Sequence, residues 1–149
     1  MRKFPTLSAF LAGVMLAVIL EPVAGRLAAI SGLPTWGTAA SLPSNVSWRL
    51  YVGHTVLFFL PVALLACLFG LALFTWLKSR RPAVVIACVG GYFTCVWLVT
   101  LFAFSMVAQG PLEAMEAMGR LASDPLYWYG LSAVPLGLVL ASQLRRLVV

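Results

Sequence analysis

The sequence is short of charge and shorter still of acids. Of its 149 residues 9% are charged; ten are lysine or arginine and only four are acidic, namely Glu21, Glu113, Glu116 and Asp124. Soluble domains carry about 25% charged residues, and a domain of this length exposes too much surface for so few charges to cover. The shortage excludes a soluble domain, and with it the charge-rich disordered and coiled-coil classes. Cysteine is scarce too. Cys67, Cys88 and Cys95 all fall inside apolar runs with no C-x-x-C pair, so neither a disulfide framework nor a zinc or thioredoxin-type motif is available. His54 is the one histidine, and bis-histidine haem ligation needs two. No serine sits in a nucleophile elbow, and Gly90-Gly91 lies mid-run, where it cannot cradle a phosphate. With no catalytic constellation left, the chain is expected to be no enzyme and to hold no cofactor and no metal.

What is present is apolar: 62% of the residues. The apolar residues gather in four runs, at about 7–30, 51–77, 83–109 and 126–144. Each is near or above the ~20 residues that a helix needs to cross the hydrocarbon core. The runs are continuous rather than alternating, which favours helices over strands. The expected fold is an all-α integral membrane protein, a four-transmembrane-helix bundle with short loops, forming one domain over 1–149 with no internal repeat. Residues 31–50 form a Pro/Gly/Ser/Trp-rich connection, 78–82 a charged turn, and 110–125 link the last two spans. Within that last link Leu112, Met115, Met118 and Leu121 or Ala122 make an apolar stripe opposite Glu113, Glu116 and Arg120. Pro111 suits a helix start, so a short helix lying on the outer surface is predicted.

Orientation follows from the basic residues in short loops. Arg2, Lys3, Lys78, Arg80, Arg81, Arg145 and Arg146 share one side. Arg26, Arg49, Arg120 and all four acids share the other. The basic side is expected to face the cytoplasm, with both termini there and the chain in a bacterial inner membrane. The net charge of +6 then serves topology and anionic headgroups; the lipid bilayer is a partner and nucleic acid is not. Arg2-Lys3 and the apolar stretch after it resemble a signal peptide, but Pro22-Val23-Ala24 is a poor cleavage site, so the segment is expected to remain as span one. Trp36, Trp48 and Tyr51 flank span two, Tyr127, Trp128 and Tyr129 open span four, and Trp76 closes span two. These rings read as interfacial belts. The triplet Asn45-Val46-Ser47 matches a glycosylation sequon, a pattern that chance often supplies.

Small residues recur at four-residue spacing, as in Ala9, Gly13 and Ala17, or Ala83, Ala87 and Gly91, or Ala133, Gly137 and Ala141. Such faces let helix backbones approach closely. Gly13, Ala17, Ala87, Gly91 and Gly137 are therefore the expected packing positions, against this chain, a second copy or another membrane protein. Glu21 stands apart as an acid inside an apolar run, followed by Pro22, where the helix is expected to kink or loosen. Fourteen residues beyond Leu7 puts it ~21 Å along the helix. His54, Ser105, Gln109 and Tyr127 lie at a similar level near the ends of their spans. If the small faces converge, these five share a shallow pocket open to the periplasm that could take a proton, a cation or a polar headgroup. The expected function is that of a small non-enzymatic inner-membrane accessory or interaction subunit, or an immunity-type membrane protein. The alternative is an oligomeric transporter or ion-conducting protein that uses the Glu21/His54 site.

Overall fold

The computed structural model describes residues 4–30, 48–79 and 81–148. Arg2, Lys3, Trp36, the Asn45-Val46-Ser47 triplet and Arg80 lie outside the described residues. Those described form helices α1 (Pro5–Ile30), α2 (Trp48–His54), a π turn (Thr55–Phe59), α3 (Leu60–Leu77), α4 (Pro82–Val107), α5 (Pro111–Ala122), α6 (Pro125–Leu131) and α7 (Ala133–Val148), with no strand among them. Helices α1, α4, α5 and α6 each begin on a proline. The first helical position is where its missing N–H costs nothing and its fixed φ already suits the helix. Asp124 caps α6, its Oδ1 accepting the Leu126 N–H at 2.8 Å.

Four stretches are long and apolar enough to cross a membrane: Pro5–Leu27, Tyr51–Leu77, Pro82–Val107 and Pro125–Leu147. They coincide with the four expected spans. The first is α1, the second α2 to α3, the third α4, and the fourth α6 with α7. Span four continues across a turn at Ser132, whose N–H bonds to the Trp128 carbonyl and whose own carbonyl accepts from Leu136, each at 3.0 Å. Contrary to the expected loosening, α1 runs unbroken through Pro22. In hydrocarbon a freed carbonyl finds no water, so the helix holds its ladder on either side of the ring. The outward surface is as apolar as the core, with Leu64, Leu68, Ile86, Leu98 and Phe102 all exposed, which is what lipid contact requires.

The bundle consists of two close helix pairs, span one along span three and span two along span four, with slighter contact between the pairs. Both pairs are parallel, since Phe10 meets Gly91 and, further along the same helices, Glu21 shares a groove with Cys95 and Val99. Likewise Ala63 meets Gly137, Gly70 meets Ala141, and Arg145 reaches Phe74. Glycine makes both crossings possible. A Cβ on Gly13 would run into the Cys88 carbonyl and stand 2.9 Å from the Tyr92 nitrogen, and one on Gly91 would strike the Phe10 carbonyl. Cys88 precedes Gly91 by three residues and Phe10 precedes Gly13 by three, so the contact is reciprocal. A Cβ on Gly137 would collide with the Ala63 carbonyl and lie 2.8 Å from the Ala66 Cβ. Ala17 is buried and Ala87 half-buried at the same seam as Gly13 and Gly91.

The basic end is tied by a side chain. Helix α3 stops at Lys78, the one non-glycine residue at positive φ (50°) among those described. Arg145 of α7 donates from Nη1 to the Ser79 carbonyl at 2.9 Å and to the Phe74 carbonyl. A cation on the final carbonyls of a helix satisfies orphan acceptors and complements the dipole. Arg145→Met keeps the stem and removes the donors. It should destabilise the bundle by about 1–3 kcal/mol, read as a lower melting temperature in detergent, with Arg145→Lys recovering part of the loss.

Candidate functional site

The five polar residues expected to share one pocket divide between the two helix pairs. Glu21 stands on span one, half-buried, on the wall of a groove of about 230 Å³ between spans one and three. Ala17, Val18, Pro22, Cys95, Val96 and Val99 form the rest of the lining. The groove opens sideways, because Val18 and Val99 on its rim are half exposed (55% and 50%). The Glu21 carboxylate lies within electrostatic reach of the Tyr92 and Tyr127 hydroxyls. Tyr127 is buried, with its ring edge-on to Trp97 at 6.2 Å and to Trp128 at 5.6 Å.

His54 belongs to the other pair. It is 8% exposed and seated between spans two and four. Its ring lies 4.7 Å from Phe58 and 5.5 Å from Tyr129, against the backbone at Gly130. The charge whose field acts on the imidazole is Asp124, not Glu21. Asp124 gives one oxygen to the helix cap, while its Oδ2 and the His54 Nδ1 are both buried without a hydrogen-bond partner. Thr55 completes the cluster, its hydroxyl 2.6 Å from the Tyr129 hydroxyl and donating to the Tyr51 carbonyl at 2.7 Å. Among the described residues no hydrogen bond or ion pair joins Glu21 to His54.

Ser105 and Gln109 join neither cluster. Ser105 is exposed and its hydroxyl bonds back to the Phe102 carbonyl of its own helix at 2.7 Å. Helix α4 ends at Val107, so Gln109 falls in the bend that follows, where its N–H donates to Glu113 Oε2 at 2.7 Å. The surface helix α5 forms as expected, with Pro111 in its first turn and Glu116 paired to Arg120 at 2.8 Å. Ala114 and Leu121 pack inward, whereas Leu112 and Met115 project outward at 82% and 67% exposure.

Asp124 is the site residue that polar level alone misses. The pair Asp124-Pro125 carries the signal that could have found it, a capping acid ahead of proline at the first helical position. Among the described residues, no three His, Cys, Asp or Glu side chains come together to hold a metal ion.

Four apolar spans in two parallel pairs, apolar on the outside and carrying an acid on a lateral groove, define a multi-pass, all-α membrane protein. No family model, curated relative or solved structure matches the chain.

Proposed function

We propose that the protein is a small, non-enzymatic interaction subunit of a bacterial inner membrane that docks sideways onto another membrane protein. The observation that carries this reading is Glu21, an acid held in the membrane-spanning part of α1 on the wall of an apolar groove with an open side. An ionisable group at such depth is costly unless a partner group meets it, and it commonly marks a functional contact. The groove is too small for a bulky ligand, but it suits one or two side chains of a neighbouring helix that bring a hydrogen-bond donor to the carboxylate. Both close small-residue faces, Gly13 with Gly91 and Gly70 with Gly137, are occupied inside the chain. Among the described residues the groove remains open beside the acid.

The proposed orientation has the basic end, with Lys78, Arg81, Arg145 and Arg146, in the cytoplasm, as the charge rule for short loops directs. Reporter fusions after Arg146 and within residues 41–47 should give cytoplasmic and periplasmic signals respectively. A periplasmic reading after Arg146 contradicts the proposed topology.

Purification of a tagged copy in mild detergent tests the docking. The expected result is one membrane protein in fixed stoichiometry, with Glu21→Gln reducing its recovery. An interhelical hydrogen bond is worth about 1–2 kcal/mol, or roughly tenfold in affinity. Recovery of a homo-oligomer alone would instead favour a conducting or transporting assembly, and a bare monomer would contradict both.

A further inference from the structure

The segment Thr55–Phe59 is the one π turn among the described residues. The Leu60 N–H donates to the Thr55 carbonyl, five residues back rather than four. A π turn carries one residue more than the α register needs, and such turns are frequent at functional sites. Pro61 follows directly. It has no N–H to contribute and its ring crowds the carbonyl four residues back, so the ladder can change register there without losing a donor.

His54 sits immediately before this turn. Its imidazole is buried against Phe58, Tyr129 and Gly130, yet Nδ1 has no hydrogen-bond partner. A buried unsatisfied nitrogen is uncommon and points to stored strain or a function. Two contacts to Tyr129 hold the turn as it stands. The Thr55 hydroxyl bonds to the Tyr129 hydroxyl, and Phe59 stacks on Tyr129 at 4.7 Å with 14° between the rings. The buried seat is therefore held by contacts on one side of the turn and opposed by an unpaired group on the other.

We propose that the π turn is a register switch that carries His54 between this buried seat and the surface at the end of the bundle bearing Asp124. Closing the turn to the α register rotates α2 by one residue, about 100°, and leaves α3 in place below Pro61. In the rotated position the imidazole leaves Phe58 and Tyr129 and gains solvent for Nδ1. The buried arrangement keeps the Thr55–Tyr129 bond, and the exposed one regains regular helical bonding. A minor state of this kind is commonly populated at 0.1–10%. The switch is independent of the Glu21 groove and stands or falls separately from it.

Because His54 is the sole histidine, carbethoxylation by diethyl pyrocarbonate reads its accessibility directly in lipid nanodiscs. Deleting Val56, which faces outward at 55% exposure, removes the extra residue, so the α ladder closes with the helix on either side kept in place and His54 held in its buried seat. The imidazole of that variant should react at least about tenfold more slowly than that of the wild type, because the exposed register is no longer within its reach. Gly130→Val keeps the chain length and acts in the opposite direction. Its Cβ would stand 3.3 Å from the imidazole and from Phe58, so its side chain should expel the ring and raise the rate about 10- to 1,000-fold over the wild type, the ratio of the two rates giving the fraction of wild-type chains in the exposed register. A wild-type imidazole that reacts no faster than that of the Val56 deletion overturns the switch, as does one that reacts as fast as in Gly130→Val.

Discussion

Gly91→Leu is expected to separate span three from span one. The Cβ would be driven into the Phe10 carbonyl, a backbone atom fixed in its helix, and the rest of the leucine would widen the gap. Overpacking costs about 1–3 kcal/mol where side chains can adjust and more where they cannot, so the loss should lie at or beyond the upper end. The adjacent glycine supplies the control. A Cβ on Gly90 meets nothing within 4 Å, so Gly90→Leu should leave the melting temperature in detergent nearly unchanged. Equal effects at the two positions would show that span three does not present this face to span one.

Gly137→Leu should have a comparable effect on the second pair. Its Cβ would meet the Ala63 carbonyl, the Ala66 Cβ at 2.8 Å and the Cys67 nitrogen at 2.9 Å, three neighbours of which two are backbone. The two pairs touch each other less than each is joined within itself. Gly91→Leu should therefore loosen spans one and three while a cysteine crosslink placed between spans two and four still forms, and Gly137→Leu should do the reverse. Loss of both crosslinks in either variant would mean that the bundle unfolds as one unit instead of pair by pair.

The spans were legible because lipid imposes both length and apolarity on them, and the glycine faces because four-residue spacing survives in any helix. Which face meets which was not. The small faces of spans one to four look alike in sequence, and chain neighbours are the usual first guess for contact. The pairing of span one with three and two with four is decided by where a carbonyl such as that of Phe10 or Ala63 fits beneath a glycine. The candidate site failed in the same physical way. Counting residues along a helix gives level but not azimuth. Ser105 reaches the right level on the lipid face it shares with Leu98 and Phe102, and His54 reaches the level of Glu21 on the other pair. Tyr127, on span four, turns its ring edge to Trp97 of span three. The π turn left no trace beyond Pro61, since that proline at the first turn of α3 could equally have followed a plain α-helix.

The central proposal is that a partner protein occupies the Glu21 groove, and the most direct measurement is photocrosslinking in living cells. A benzophenone amino acid placed at Val18 or Val99, on the groove rim, should give a discrete protein adduct of fixed mass. The same probe at Leu64 or Leu68, exposed on span two (64% each), should not, and Glu21→Gln should remove the rim adducts while leaving protein abundance unchanged. Rim positions that yield no protein adduct, or all four positions yielding the same one, would contradict docking at this groove.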